Sequence, residues 1–146
     1  MQKGVYSLLL MLEKDQHIQI GKIGLFLFKR GYYVYNGSAL GGFGRVRYHL
    51  KKDKIKRWHI DYLLDKSKII KIILSETETN YEHEISKKLA EGKVVEIPVL
   101  GFGASDCNKG CPSHLIYFKK IPDIEETYKR IGLEYVVFEE ADFKNI

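Results

Sequence analysis

Between Arg45 and Arg57 the chain carries Arg45, Arg47, Lys51, Lys52, Lys54, Lys56 and Arg57, opposed only by Asp53. Such a density of cations suits a polyanion, whose phosphates it would neutralise at close quarters. The same run also reads as a solvated, lysine-rich helix face. Just upstream, Gly37, Gly41, Gly42 and Gly44 fall within eight residues. Backbone of that kind either approaches a ligand closely or merely serves a turn. Further on, Cys107, Cys111 and His114 form a C-x3-C-x2-H cluster beside Asp106. Three such ligands are one short of a tetrahedral zinc set, which His83 or His17 would have to complete from elsewhere in the fold. Zinc is therefore disfavoured, and the thiols read better as small buried fillers.

These groups need a frame. At 146 residues, with 45% hydrophobic and 29% charged residues, the chain has the size and composition of one compact core rather than two domains or a disordered segment. Two cysteines and three prolines exclude a disulfide framework and a collagen-like chain, and the thiols suit a reducing compartment. The longest apolar run, Tyr6-Ser7-Leu8-Leu9-Leu10-Met11-Leu12, is far short of the roughly 20 residues of a membrane span. No signal-peptide cleavage pattern follows it, so the expectation is a cytoplasmic protein without a membrane partner. Residues 121–146 hold three Lys/Arg against seven Asp/Glu, within a total charge of +5, so the first 120 residues are the basic part.

Val5 to Leu12 reads as a buried strand and Ile18 to Phe28, with Gly21 and Gly24, as a hairpin. In Tyr32-Tyr33-Val34-Tyr35 alternation puts Tyr33 and Tyr35 on one face and Tyr32 and Val34 on the other. A helix is expected from Arg45, with Arg45, His49, Lys52 and Lys56 on one basic stripe. A short helix follows over Trp58 to Leu64, then a strand over Ile69 to Leu74. Thr79-Asn80-Tyr81-Glu82 has the form of a capping box, which predicts a helix with Ile85 and Leu89 inward. Short strands over 94–100 and 114–118, a helix over 122–130 ended by Gly132 and a strand over 135–138 complete the order.

Gly4-Val5-Tyr6, followed about thirty residues later by Tyr35-Asn36-Gly37, then Arg45 eight residues on, then Glu82 at the start of a later helix, resembles the motif series of the GIY-YIG endonuclease superfamily. The segments Trp58-His59-Ile60-Asp61-Tyr62-Leu63 and Gly101 to Leu115 look like its branch known as domain-of-unknown-function family 123, whose members occur alone or fused to endonuclease III-like glycosylases. The likeness covers roughly residues 1–120, read as the nuclease-like domain. Residues 121–146 are read as an acidic extension packed on that domain.

The resemblance implies an α+β fold: a small, mostly antiparallel central sheet flanked by helices, with extra C-terminal strands and a helix. It implies a divalent-metal-dependent endonuclease acting on DNA, in repair or DNA processing. RNA is an open substrate, a silent nucleic-acid-binding module the alternative activity, and a glycosylase or other repair protein a conceivable partner. The implied catalytic residues are Tyr6, Tyr35, Arg45, His59 and Glu82. Tyr35 would be general base, Arg45 the phosphate clamp, and Glu82 the ligand of one Mg²⁺ or Mn²⁺. Gly37, Ser38, Arg47, His49, Lys52 and Lys56 would contact nucleic acid. Each has a plainer reading: the tyrosines as core aromatics, Glu82 as a cap partner, His59 as a polar helix-start residue.

Overall fold

The protein's structure, a computed structural model, describes residues 3–39, 42–51, 55–56, 58–91, 96, 98 and 114–144. Strand β1 (Gly4–Leu12) is followed by a hairpin of β2 (Gln16–Ile20) and β3 (Gly24–Phe28), joined by a single 3-10 turn, and by β4 (Gly31–Ala39). Helices α1 (Gly44–Leu50) and α2 (His59–Leu64) come next, then β5 (Lys68–Glu76), α3 (Glu82–Ala90) and β6 (Leu115–Phe118). The chain continues through α4 (Ile124–Ile131), β7 (Val136–Phe138) and α5 (Glu140–Lys144). Five strands form one sheet in the order β6-β4-β1-β5-β7, every pair antiparallel, while β2 and β3 form a separate ribbon. The fold is thus α+β around a small antiparallel sheet.

Strand β1 lies at the centre and is buried along nearly its whole length, which is why it reads as an unbroken apolar run rather than an alternating one. Tyr6, Leu8, Leu10 and Leu12 point to one face with Tyr33 and Tyr35 of β4, under Val46 and Leu50 of α1, Ile60 and Leu63 of α2, and the ribbon residues Ile18, Ile20 and Phe28. Val5 and Leu9 point to the other with Val34 and Ile73, under Ile85 and Leu89 of α3 and Ile124 and Tyr128 of α4. The alternation expected for the aromatic strand is the one observed.

Two expectations need correction. Helix α1 stops at Leu50, where Lys51 turns extended, so the single stripe Arg45-His49-Lys52-Lys56 does not form. The physical reason is the apolar face: Val46, His49 and Leu50 are the buried positions, and His49 belongs with them, not with Arg45. Lys56 lies beyond the helix, paired with Asp65 at 2.8 Å, and Lys52 lies outside the described residues. Helix α3 begins at Glu82, and no side chain of Thr79 caps it. Asn80 takes that role, its Oδ1 accepting from the Glu82 amide at 3.0 Å. Of the strand expected over 94–100 only residues 96 and 98 are described, Glu96 bridging to Tyr117.

The acidic C-terminal part is integral to the core. Ile124 and Tyr128 are fully buried, and β7 pairs with β5. Gly132 ends α4 in the left-handed conformation at φ 88°, where a side chain would be strained.

Candidate active site

Antiparallel pairing of β1 with β4 sets Tyr6 opposite Gly37 and Leu8 opposite Tyr35. Tyr6 and Tyr35 are therefore diagonal neighbours on one face, with ring centroids 6.3 Å apart. The glycine opposite Tyr6 is a steric requirement. A Cβ on Gly37 would fall 2.3 Å from the tyrosine Cζ and 2.4 Å from its hydroxyl. The ring packs against the β4 backbone at Gly37, and its hydroxyl is directed towards α1.

There it meets His49, with 2.9 Å from Tyr6 OH to His49 Nε2. His49 Nδ1 in turn lies 2.9 Å from Asp61 Oδ1 on α2, and the second carboxylate oxygen accepts the Trp58 amide at 3.0 Å. All three side chains are buried. With Asp61 accepting, the imidazole carries a proton at Nδ1; in the neutral ring Nε2 then accepts and Tyr6 donates. Burial raises the pKa of Tyr6 well above its usual value; the charges of Tyr35, Glu82 and Asp61 push the same way and Arg45 opposes them. Tyr6 thus keeps its proton, and the charges of Arg45 and Glu82 both reach its hydroxyl.

Arg45 stands exposed on the first turn of α1. Its Nη1 donates to the Ser38 carbonyl at 3.0 Å, and the guanidinium carbon lies 4.9 Å from the centre of the Trp58 ring. Trp58 also packs edge-on against His49, with centroids 5.3 Å apart. One tryptophan thereby supports the arginine with its ring face and anchors the buried aspartate with its backbone. Arg47 is exposed on the same helix.

Glu82 arrives from the other layer at the N-terminus of α3. Its Oε1 accepts from Asn80 Nδ2 at 3.1 Å, and its Oε2 lies 3.7 Å from His114 Nδ1. His114 is tied to the aromatic strand, its carbonyl accepting the Asn36 amide at 3.0 Å. A carboxylate only 14% exposed, oriented by one hydrogen bond, fits a hard cation whose remaining positions are filled by water and phosphate oxygens. Among the described residues no group of three or more His, Cys, Asp or Glu converges on one point, so a closed structural metal site is not found there. Cys107 and Cys111 lie outside the described residues.

Of the residues singled out from the sequence, Tyr6, Tyr35, Arg45, Gly37, Ser38 and His49 come together around β1, β4 and α1. His49 does so as a buried partner of Tyr6 rather than as a surface phosphate contact, because its ring completes the inward face of α1. His59 opens α2, half-buried, and burial lowers its pKa; the Tyr6 hydroxyl bonds to His49 instead. Asp61 escaped the sequence reading. Its one signal was an acid between Ile60 and Leu63 on a helix face that is otherwise apolar.

Behind the same strands, Ser7 Oγ donates to Asn36 Oδ1 at 2.6 Å and lies 2.7 Å from Tyr128 OH, while Asn36 Nδ2 donates to Ser86 Oγ at 2.9 Å. This buried network joins β1, β4, α3 and α4, and so fixes the helix that carries Glu82 against the strand that carries Tyr35.

Fold and site define a small α+β protein with a buried tyrosine–histidine–aspartate chain beneath an exposed arginine and a carboxylate brought in from the opposite layer. The chain belongs to the family described as Domain of unknown function DUF123, which it matches over residues 5–136. The match includes α4 and so extends into the acidic C-terminal part. No curated protein and no solved structure matches the chain.

Proposed function

We propose that the protein is a divalent-cation-dependent endonuclease of the GIY-YIG kind, hydrolysing phosphodiester bonds of DNA. The observation that carries this reading is the Tyr6–His49–Asp61 chain. Three polar side chains buried together cost desolvation that an apolar core would avoid, and here the chain ends in the very tyrosine that also feels Arg45 and Glu82.

In the reaction, water attacks phosphorus and the bond to the leaving oxygen breaks. Tyr35, acting as the phenolate that the positive charge of Arg45 favours, orients the water and takes its proton to become the neutral phenol, which would contribute on the order of 10²–10⁴ in rate. Arg45 holds the phosphate through its guanidinium fork, on the platform that Trp58 gives it. Tyr6, hydrogen-bonded to His49, keeps its ring against Gly37 and so holds the neighbouring Tyr35 in place. Glu82 is the residue that would hold the cation, Mg²⁺ or Mn²⁺. When bound, that ion would stabilise the charge on the leaving oxygen.

Cleavage of labelled duplex, single-stranded, flap and abasic DNA and of a structured RNA, with Mg²⁺ or Mn²⁺, tests the proposal. Cutting of DNA that is abolished in Glu82→Ala and in Arg45→Ala is the expected result. Cutting of the RNA alone would change the substrate class. Binding without cutting, unchanged in Glu82→Ala, would make the protein a silent nucleic-acid-binding module and Glu82 no more than a helix-start residue.

A further inference from the structure

Glu82 Oε2 and His114 Nδ1 are 3.7 Å apart, within the range of an ion pair but too long for a direct hydrogen bond. A charge-assisted hydrogen bond would close to about 2.7–2.9 Å. A chance contact at the surface would leave both groups in solvent, yet His114 is 2% exposed and the Glu82 side chain 14%. The distance lies much nearer to the span between two atoms ligating one ion. Ligands held at about 2.0–2.2 Å from a common centre stand roughly 3–3.5 Å from each other.

Both groups are also held by other bonds. Asn80 Nδ2 fixes the far oxygen of Glu82, which leaves Oε2 towards the imidazole. The Asn36 amide fixes the backbone of His114 at the point where β6 begins. A carboxylate oxygen and an imidazole nitrogen are therefore preorganised from two different elements. Their mutual spacing is a few tenths of an ångström wider than one dication would set.

We propose that Glu82 and His114 form a two-residue metal site of mixed oxygen and nitrogen character, which selects a first-row transition dication such as Mn²⁺ over Mg²⁺. Imidazole is a poor ligand for Mg²⁺, which prefers all-oxygen surroundings and keeps its waters, and a good one for the softer transition ions. Two protein ligands leave the other positions to water or to phosphate oxygens. The inference rests on the reading above only in taking Glu82 as the metal-bearing carboxylate.

The test reads metal binding directly, on the full untagged chain without nucleic acid. Mn²⁺ is titrated by electron paramagnetic resonance, and the bound ion is probed by electron spin-echo modulation for coupling to a histidine nitrogen, verified by ¹⁵N-histidine labelling. The expected result is a nitrogen coupling in the wild type that disappears in His114→Gln and persists in His83→Gln. Mn²⁺ affinity should fall about tenfold or more in both His114→Gln and Glu82→Gln, and Mg²⁺ should displace Mn²⁺ only in large excess. The labelling result in the wild type stands even where His114→Gln does not fold. Overturning results are the absence of nitrogen coupling, a coupling that survives His114→Gln in folded protein, or no Mn²⁺ binding at millimolar concentration. Coupling without any nuclease activity would leave this site intact and refute the nuclease reading; activity without coupling would do the reverse.

Discussion

The Tyr6 hydroxyl and His49 Nε2 meet at 2.9 Å inside the protein, 43 residues apart in the chain, and Asp61 fixes the far side of the same imidazole. Removing the aspartate exposes what this arrangement does. Asp61→Ala leaves the His49 Nδ1–H and the Trp58 amide without their acceptor in a buried setting, a loss of about 1–3 kcal/mol for each group so orphaned. Urea unfolding should show a marked drop in midpoint. Asp61→Asn, which keeps one accepting oxygen for the two donors and turns an NH2 towards the other, should recover only part of the lost stability. A stability of Asp61→Ala equal to the wild type would show that the buried chain does not contribute to the fold.

Gly37 offers a sharper geometric test. Gly37→Ala puts a methyl group 2.3 Å from Tyr6 Cζ, so the ring must leave its place over β4 and with it the bond to His49. Overpacking of this kind costs about 1–3 kcal/mol. Gly44→Ala, with nothing within 4 Å of the new carbon, should by contrast be neutral or slightly stabilising. Thermal melts of the two variants compared with the wild type decide the matter, and equal melting temperatures would contradict the described packing of Tyr6 on Gly37.

Arg45 is exposed outside the core and, under the nuclease reading, would touch phosphate. Arg45→Ala should weaken binding to DNA uniformly across sequences and reduce the slope of log affinity against log salt by about 1. Arg45→Lys keeps the charge but loses the flat guanidinium that stacks on Trp58, and should recover only part of the affinity. Fluorescence-anisotropy titrations at several salt concentrations give both quantities. An unchanged slope in Arg45→Ala would remove Arg45 from the phosphate contacts.

Much of the fold could be read from residue types, and the failures share one cause. The apolar run of β1, the alternation of Tyr32 to Tyr35 and the αL glycine at 132 each follow from a local rule, and each is observed. His49 and Asp61 were misjudged or missed because spacing rules count polar residues as outward. Val46, His49 and Leu50 already stand at the spacing of one helix face, yet only a partner 12 residues away makes the imidazole admissible in the core. The same holds for Ser7 and Asn36, satisfied by Tyr128 and Ser86 from distant elements. A bond between distant residues leaves no local periodicity to find.

The buried phenols fix the alkaline limit of stability. Burial raises the pKa of Tyr6, Tyr33 and Tyr128 above the value near 10 that they have in the unfolded chain. Between these values the unfolded state has lost protons that the native state keeps, so stability falls as pH rises. Their contribution is complete below about pH 10 and declines progressively above it. Urea midpoints should change little on this account between pH 7 and 10 and fall beyond. Tyrosinate absorbance should show fewer ionised tyrosines in native than in unfolded protein at pH 11, and equal numbers would mean that these hydroxyls are open to solvent.

The C-terminal part separates into a piece the core needs and a piece it can lose. Ile124 and Tyr128 are fully buried, worth about 1.5–3 kcal/mol each, and Tyr128 also satisfies Ser7. Against a typical total of about 5–15 kcal/mol, their removal together with β7 takes away a large share of the stability and strips one edge from the central sheet. A chain ending at residue 120 should therefore lack cooperative unfolding by circular dichroism. Helix α5 differs: it packs against α1 and β5, and Glu140 lines the same cavity as Lys51 and Lys68. A chain ending at residue 139 should keep the fold. It should also bind DNA more tightly at low salt, since Glu140 and Asp142 no longer oppose the cations of α1 and the residues after it. Unchanged affinity of that shorter chain would sink the idea that the acidic end competes with nucleic acid, while its unfolding would make α5 a structural element in its own right.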